Sequence, residues 1–153
     1  MTPTQKALIA ESYAWLASDV DASADLFYRY MFEQNPSIRM MFPVNMSRQG
    51  RKFMDMLGSI LSCLDRMDRI VPLLWQLGKR HEGYGVTEAH YVLAGEALLW
   101  AIEQRSQRAL SVETREAWQE LYAIMARTMQ QSAEEGGVTR TEAASADAPF
   151  PAY

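Results

Sequence analysis

The chain has 153 residues, a formal net charge of −4 and an apolar content of 48%. This length is sufficient for one domain with a hydrophobic core of its own. The acidic balance argues against nucleic acid as the main partner, because phosphate binding requires a basic surface. The single cysteine, Cys63, excludes an internal disulfide and a metal site built from several cysteines.

Two further sequence features bear on the cellular compartment. The first residues, MTPTQKALIAESY, lack the long apolar core of a signal peptide. No window approaches the roughly eighteen uncharged apolar residues that a transmembrane helix requires. Together with the single cysteine, these features predict a protein of the reducing cytoplasm that does not enter a membrane.

Residues with high helix propensity dominate the composition, and no stretch alternates between apolar and polar positions as a strand would. The sequence therefore predicts an all-α chain. In chain order, apolar residues at helical spacing predict helices over about 4–16, 21–33, 48–64, 70–80, 87–104 and 111–129. In the first of these, the expected inner residues are Ala7, Leu8, Tyr13 and Leu16.

The link between the second and third predicted helices contains two prolines. Asn35 precedes Pro36, and since a proline disfavours the helical conformation in the residue before it, the second helix should end there. Residues 37–41 can form one short turn, which leads directly to Phe42 and Pro43. An aromatic side chain held between a short turn and a proline predicts a rigid corner.

The composition changes near residue 130. The following stretch, which includes EEGGVTRTEAASADAPFPAY, is rich in small and charged residues and shows no helical stripe over most of its length. Such a composition is typical of a linker. We therefore expect one domain over residues 1–130 and a flexible tail or linker over residues 131–153.

One histidine lies on an apolar helical stripe. Leu74, Leu77 and His81 are spaced by three and by four residues, which places them on one face of a helix. Gly83 and Gly85 follow at once and should end that helix. A histidine aimed from a helix end into an apolar pocket suits a metal of borderline softness. On this pattern alone, a hydrogen-bonded core histidine is the alternative interpretation.

Further aromatic and polar residues that can line a pocket follow in a distinctive order along the chain: Tyr28, Phe42, Gln49, Phe53, His81 and Tyr91. This order resembles that of a globin, and more narrowly that of bacterial single-domain haemoglobins and of the globin domains of flavohaemoglobins. The segments that carry the resemblance are LFYRYMFEQNPSIRMMFP, LGKRHEGYGVTEAHYVLAGEALLWAI and AWQELYAIM. The likeness spans roughly residues 4–130.

The resemblance implies a three-over-three helical sandwich that encloses haem b. The link over residues 43–47 is short, so the family's fourth helix is expected to be short or missing. Residues 1–130 would then form the haem-binding globin domain. The large apolar disc of haem is compatible with the many Phe, Leu and Met side chains of this region.

On the proximal side of the haem, His81 matches the histidine that bonds the iron. Tyr91 matches a tyrosine that accompanies this histidine in the bacterial branch, and Leu77 lies on the same stripe as His81. Phe42 matches the phenylalanine that wedges the haem at the corner between the family's third and fifth helices. His90 is interpreted as a surface or capping residue.

On the distal side, Tyr28 matches the tyrosine of the family's second helix, and Gln49 matches the first distal residue of its fifth helix. Phe53 matches the apolar residue one turn later, and Leu57 continues this stripe. Tyrosine and glutamine can both donate hydrogen bonds to a partly negative bound O₂. The alternatives that the residues alone leave open are a half-buried packing tyrosine and a solvated glutamine.

Two positions depart from the pattern of flavohaemoglobins. The glutamate that pairs with the proximal histidine in that pattern falls at Ala133 here, with Glu134 and Glu135 just beyond it. A carboxylate partner makes the ligand more electron-rich, so its absence would weaken strongly activating chemistry. Phe53 is bulkier than the usual leucine, and it is expected to narrow the distal pocket or to shift Gln49.

The function that the resemblance implies is reversible O₂ binding at ferrous haem. The sharper expectation is nitric oxide dioxygenation, in which O₂ and NO yield nitrate and electrons come from a flavin-type reductase, either separate or formerly fused. The chain itself carries no G-x-G-x-x-G motif for a nucleotide. The alternatives are O₂ storage, delivery or sensing without turnover, and a haem-free helical module that binds a protein partner.

Overall fold

The structure is a computed structural model, and it describes residues 1–135. This part of the chain consists of six α-helices and one 3₁₀ helix, and it contains no β-strand. The helix bounds are α1 Pro3–Ala17, α2 Val20–Gln34, the 3₁₀ helix Pro36–Met41, α3 Ser47–Ser62, α4 Met67–Gly83, α5 Glu88–Ser106 and α6 Val112–Glu135. The all-α prediction is confirmed. None of the described helices is both long enough and apolar enough to cross a membrane.

The helices form two layers, with α1, α3 and α4 over α2, α5 and α6. Across the layers, α4 and α1 both pack against α6, and α2 packs against α3. Within a layer, α2 packs against α5. This is a three-over-three helical sandwich. Residues 42–46 carry no helix, so the fourth helix, which the resemblance led us to expect as short or missing, is missing here.

Side-chain caps explain why several helices begin where they do. Thr2 and Gln5 form a reciprocal capping box at the start of α1, and the Asp19 side chain accepts from the backbone N–H of Ala22 at the start of α2. Thr87 caps the start of α5. Each cap satisfies backbone donors that the first turn of a helix leaves without a partner.

The core lies between the two layers. Its largest fully buried side chains are Ile9, Leu16, Met54, Leu57, Ile60, Leu74, Leu77, Ile102 and Trp118. The prediction that Ala7 faces inward is wrong, since Ala7 is exposed and Ser12 is buried instead. The indole Nε1 of Trp118 donates to Ser12 Oγ at 2.7 Å, and Ser12 Oγ donates to the Leu8 carbonyl oxygen at 2.6 Å. These bonds allow a polar residue to occupy a core position.

The last helix continues past its predicted end at Met129 to Glu135. The reason is a contact with α4, because the buried Ser132 donates from its hydroxyl to the Trp75 carbonyl oxygen at 2.6 Å. The small and polar residues near this helix end gave no apolar stripe from which its length could be predicted. Residues 136–153, which make up most of the expected tail, lie outside the described residues.

Candidate functional site

An apolar cleft opens between the layers and receives side chains from every helix except α1. Its lining is largely apolar with a few polar groups, as in pockets that hold small molecules and cofactors. We call it the central cleft. All the site residues that the sequence predicted line it: Tyr28, Phe42, Gln49, Phe53, Leu57, Leu77, His81 and Tyr91.

His81 lies in the last turn of α4, as the glycines after it predict. Its Nδ1 lies 2.7 Å from the Leu77 carbonyl oxygen, one turn earlier. Because a carbonyl oxygen only accepts, Nδ1 carries the hydrogen in this bond and Nε2 is the basic nitrogen of the neutral ring. Burial lowers the pKa of His81 below its usual value of 6.5, and the Arg80 charge adds to this effect. The neutral imidazole is the form that binds a metal.

Tyr91 lies beside this histidine on α5. The two rings are 6.3 Å apart between centroids and inclined by 28°. The Tyr122 hydroxyl, on α6, donates to the backbone carbonyl oxygen of Tyr91. Burial raises the pKa of Tyr91 to about 12, so its phenol is neutral at physiological pH.

Tyr28 and Gln49 face each other in the central cleft from α2 and α3. The Gln49 side-chain amide donates to the Tyr28 hydroxyl oxygen at 3.3 Å. Each residue is 7% exposed, so the alternatives of a half-buried tyrosine and a solvated glutamine are wrong. Burial raises the pKa of Tyr28 well above 10, although the bond from Gln49 opposes the shift. The Tyr28 hydroxyl therefore keeps its hydrogen and can donate it.

An aromatic cluster supports Tyr28. Its ring makes edge contacts with those of Phe27, Phe42 and Phe53 at centroid distances of 5.0, 5.3 and 5.9 Å. Phe53 stacks on Phe27 at 4.2 Å and 14°, which places its extra bulk against α2. Gln49 keeps its bond to Tyr28 beside this larger side chain.

The corner that carries Phe42 is held by one arginine. Arg39 Nη1 lies 3.3 Å from the Phe42 carbonyl oxygen and 2.8 Å from that of Pro43, while Nη2 lies 2.9 Å from that of Val44. The guanidinium also lies 5.1 Å above the ring of Phe32. A single side chain thereby binds three successive carbonyls where the fourth helix is missing.

The family follows from comparison with known proteins. The globin family model matches residues 25–129, which is more than half of the chain. The chain belongs to the globin family. Members of this family bind haem, which agrees with the apolar lining of the central cleft.

Several relatives of known type match over most of the chain. The flavohaemoprotein of Halalkalibacterium halodurans is 27% identical over 124 residues, which cover 79% of this chain and 30% of that protein. Flavohaemoprotein A of Dictyostelium discoideum is 32% identical over 101 residues, which cover 65% of this chain and 25% of that protein. The matched part therefore covers less than a third of each flavohaemoprotein.

Two other matches cover nearly the full length of the protein to which this chain is compared. Neuroglobin-1 of Oncorhynchus mykiss is 23% identical over 156 residues, which cover 93% of this chain and 98% of that protein. The crystal structure of the closed form of the HGbRL globin domain is 28% identical and covers 88% of this chain and 98% of that one, with a TM-score of 0.41.

The donor set of this globin suits haem better than a bare metal ion. Within residues 1–135, no group of three or more His, Cys, Asp or Glu side chains could hold a metal. Haem iron brings four nitrogen ligands of its own and needs only one from the protein. His81 offers one such nitrogen inside the apolar cleft, so the residues fit the cofactor.

The two glutamates near the end of α6 are both exposed to solvent. Ala133, where the flavohaemoglobin pattern has a glutamate, is half-buried, and Glu134 and Glu135 are exposed. Neither glutamate therefore places a buried carboxylate beside the central cleft. The site therefore departs here from the flavohaemoglobin pattern, as the alanine at position 133 indicated.

Sequence reasoning missed several side chains that line the central cleft. Three of them, Tyr122, Met125 and Met129, lie on α6, and helical spacing alone does not show that a helix face borders a pocket. His90 does cap α5, because its Nδ1 accepts from the Thr87 backbone N–H at 3.0 Å. Its side chain also contributes to the cleft lining, which the capping interpretation did not include.

Proposed function

We propose that this globin binds haem b through His81 and reversibly binds O₂ on the face of the haem toward Tyr28 and Gln49. The observation that carries the proposal is the central cleft, in which a neutral imidazole and a hydrogen-bonded phenol–amide pair line one apolar space. Bound haem would supply a ferrous iron with an open position for a diatomic ligand.

His81 would hold the cofactor and set its orientation. The bond from Nδ1 to the Leu77 carbonyl oxygen fixes the tautomer and the plane of the ring. Nε2 would then be the nitrogen that binds iron, and the hydrogen bond made by Nδ1 raises the basicity of the ligand. Phe42, Phe53, Leu57, Leu77 and Tyr91 would enclose the porphyrin.

Tyr28 and Gln49 would stabilise the ligand. O₂ draws electron density from ferrous iron, so a neutral donor that points at it strengthens its binding. Gln49 donates to the Tyr28 oxygen, so the Tyr28 hydrogen is free to turn toward another acceptor. We expect slow release of O₂, because the aromatic cluster keeps this donor in a dry environment.

We further propose nitric oxide dioxygenation, in which O₂, NO and one electron give nitrate. The flavohaemoprotein relatives, matched over 30% and 25% of their length, support a pairing of the haem with a flavin as electron donor. The donor of the electron would be a flavin-type reductase. We propose the cytoplasm as the compartment, where such a reductase and a reduced Cys63 would coexist.

The second candidate is O₂ storage, delivery or sensing without turnover. It is favoured by the alignment with a neuroglobin over 98% of that protein's length, since this relative is no longer than one globin domain. The two candidates differ in one respect: only the first predicts that NO is consumed catalytically when a reductase supplies electrons.

Visible absorption spectra test haem binding and the role of His81. The chain has two histidines, so His90→Ala is a matched control for His81→Ala. Purified ferric, dithionite-reduced and oxygen-exposed samples should show an intense Soret band and a stable oxygenated form in the parent and in His90→Ala. His81→Ala should lose the oxygenated form. Absence of haem uptake by the parent, even after reconstitution, would contradict the proposal.

A further inference from the structure

The backbones of α4 and α6 make an unusually close approach at Gly78. A Cβ atom at this position would lie 2.2 Å from the Met129 carbonyl oxygen and 2.7 Å from Met129 Cα. Both distances are shorter than the contact distances that Cβ atoms make in proteins. The atoms that the Cβ would meet belong to the backbone and cannot turn aside as a flexible side chain could. Glycine is therefore the residue that permits this crossing.

A second contact joins the same two helices one turn away. Ser132 is fully buried, and its hydroxyl donates to the Trp75 carbonyl oxygen at 2.6 Å. The two contacts pair Trp75 with Ser132 and Gly78 with Met129. We call these four residues the α4–α6 clamp.

The α4–α6 clamp lies directly before His81. Gly78 is one turn from His81 on α4, and its neighbour Leu77 provides the carbonyl that binds the His81 Nδ1. Pro72, one turn before Trp75, removes a helical N–H and weakens the continuity of α4 on that side. The contacts with α6 therefore fix the position of the part of α4 that carries His81.

Met129 connects the clamp to the central cleft. Its backbone meets Gly78, and the residue also lines the cleft together with His81. A displacement of α4 relative to α6 would therefore move His81 and reshape the same wall of the cleft. Helix packing transmits such shifts because the interior is densely packed.

We propose that the α4–α6 clamp is a positioning device that sets how far His81 projects into the central cleft, and thus the strength of its bond to iron. The inference rests on the proposed function, in which His81 binds haem. Gly78 and Ser132 act through His81 and touch no reacting atom.

The test compares Gly78→Ala with Gly83→Ala. Both glycines lie in α4, but a Cβ at Gly83 would meet no atom within 4 Å. The iron–histidine stretching band of the ferrous, ligand-free protein in resonance Raman spectra reports the strength of the proximal bond. We expect Gly78→Ala to shift this band and to speed haem transfer to an acceptor apoprotein about tenfold. Gly83→Ala should match the parent in both measurements.

Ser132→Ala keeps the test decisive if Gly78→Ala does not fold. It removes one hydrogen bond without adding an atom, and it should shift the same band and speed haem loss about threefold. A lower melting temperature of the apoprotein with an unshifted band and unchanged haem loss would overturn the proposal. A parent without an iron–histidine band would instead contradict the proposed function itself.

Discussion

The side-chain amide of Gln49 donates a hydrogen bond to the hydroxyl oxygen of Tyr28 across 3.3 Å. The direction of this bond matters because it occupies a lone pair of the phenol and leaves its hydrogen for a third group. Both residues are buried in the central cleft, where a donated hydrogen bond is electrostatically stronger than in water. In this pair, the Gln49 amide therefore orients the Tyr28 hydroxyl, and the Tyr28 hydroxyl is the group that can donate to a third group.

Replacing Tyr28 with Phe should accelerate O₂ release. A hydrogen bond to a group with anionic character contributes roughly 1.5–3 kcal/mol, so the dissociation rate should rise about ten- to hundredfold. Stopped-flow mixing of the oxygenated protein with dithionite or carbon monoxide measures this rate. An unchanged rate would show that the Tyr28 hydroxyl does not contact the ligand.

Gln49→Leu should act largely through Tyr28. Without the amide, the phenol is less firmly oriented, and O₂ release should be faster than in the parent but slower than in Tyr28→Phe. In Tyr28→Phe/Gln49→Leu, the second substitution should add little, because the group that it orients is already absent. Fully additive effects on the dissociation free energy would show instead that Gln49 contacts O₂ independently.

The buried tyrosines predict a loss of stability at high pH. Burial raises the pKa of Tyr28 above its ordinary value of 10 and that of Tyr91 to about 12. An unfolded tyrosine ionises near 10, so above that pH the unfolded state binds fewer protons than the folded state. The free energy of unfolding should be insensitive to these groups below about pH 10 and should fall as the pH rises toward 12.

Urea unfolding of the apoprotein between about pH 9 and about pH 11.5 measures this dependence. Tyr28→Phe removes one of the raised groups, so its stability should decline less steeply than that of the parent over this interval. Identical slopes would contradict the shifted pKa of Tyr28.

Arg39→Ala should loosen the corner that carries Phe42. It removes the donors to three carbonyl oxygens, and we expect unfolding to become easier by about 1–2 kcal/mol and haem loss to become faster. Arg51→Ala is the matched control, since Arg51 makes one exposed ion pair with Asp21 at 3.2 Å. Such a pair contributes about 0–1 kcal/mol. Equal effects of the two substitutions would show that Arg39 does not hold the corner that carries Phe42.

Apolar spacing and glycine positions were sufficient to predict most of the helices and the placement of His81 at the end of α4. They could not predict that Gly78 marks a helix crossing, because its close approach to Met129 depends on a helix far away in the sequence. They gave the extent of α1 but placed Ala7 on its inner face and missed Ser12, which is polar in sequence and is buried with a hydrogen bond from Trp118.

The candidate site was predictable to a similar extent. Only His81 and its stripe followed from spacing, whereas the resemblance to globins supplied the other predicted residues that share the central cleft. The orientation of the Gln49 amide toward Tyr28 and the three bonds of Arg39 depend on tertiary contacts, which no local pattern contains.

The central claim is that Nε2 of His81 binds the iron of haem, and imidazole rescue of His81→Gly tests it most directly. This substitution leaves a space that free imidazole can enter. We predict that the variant loses the ferrous and oxygenated spectra of the parent and that added imidazole restores them, whereas His90→Gly needs no imidazole. Parent-like spectra of His81→Gly without imidazole would contradict the account, because another group would then hold the iron.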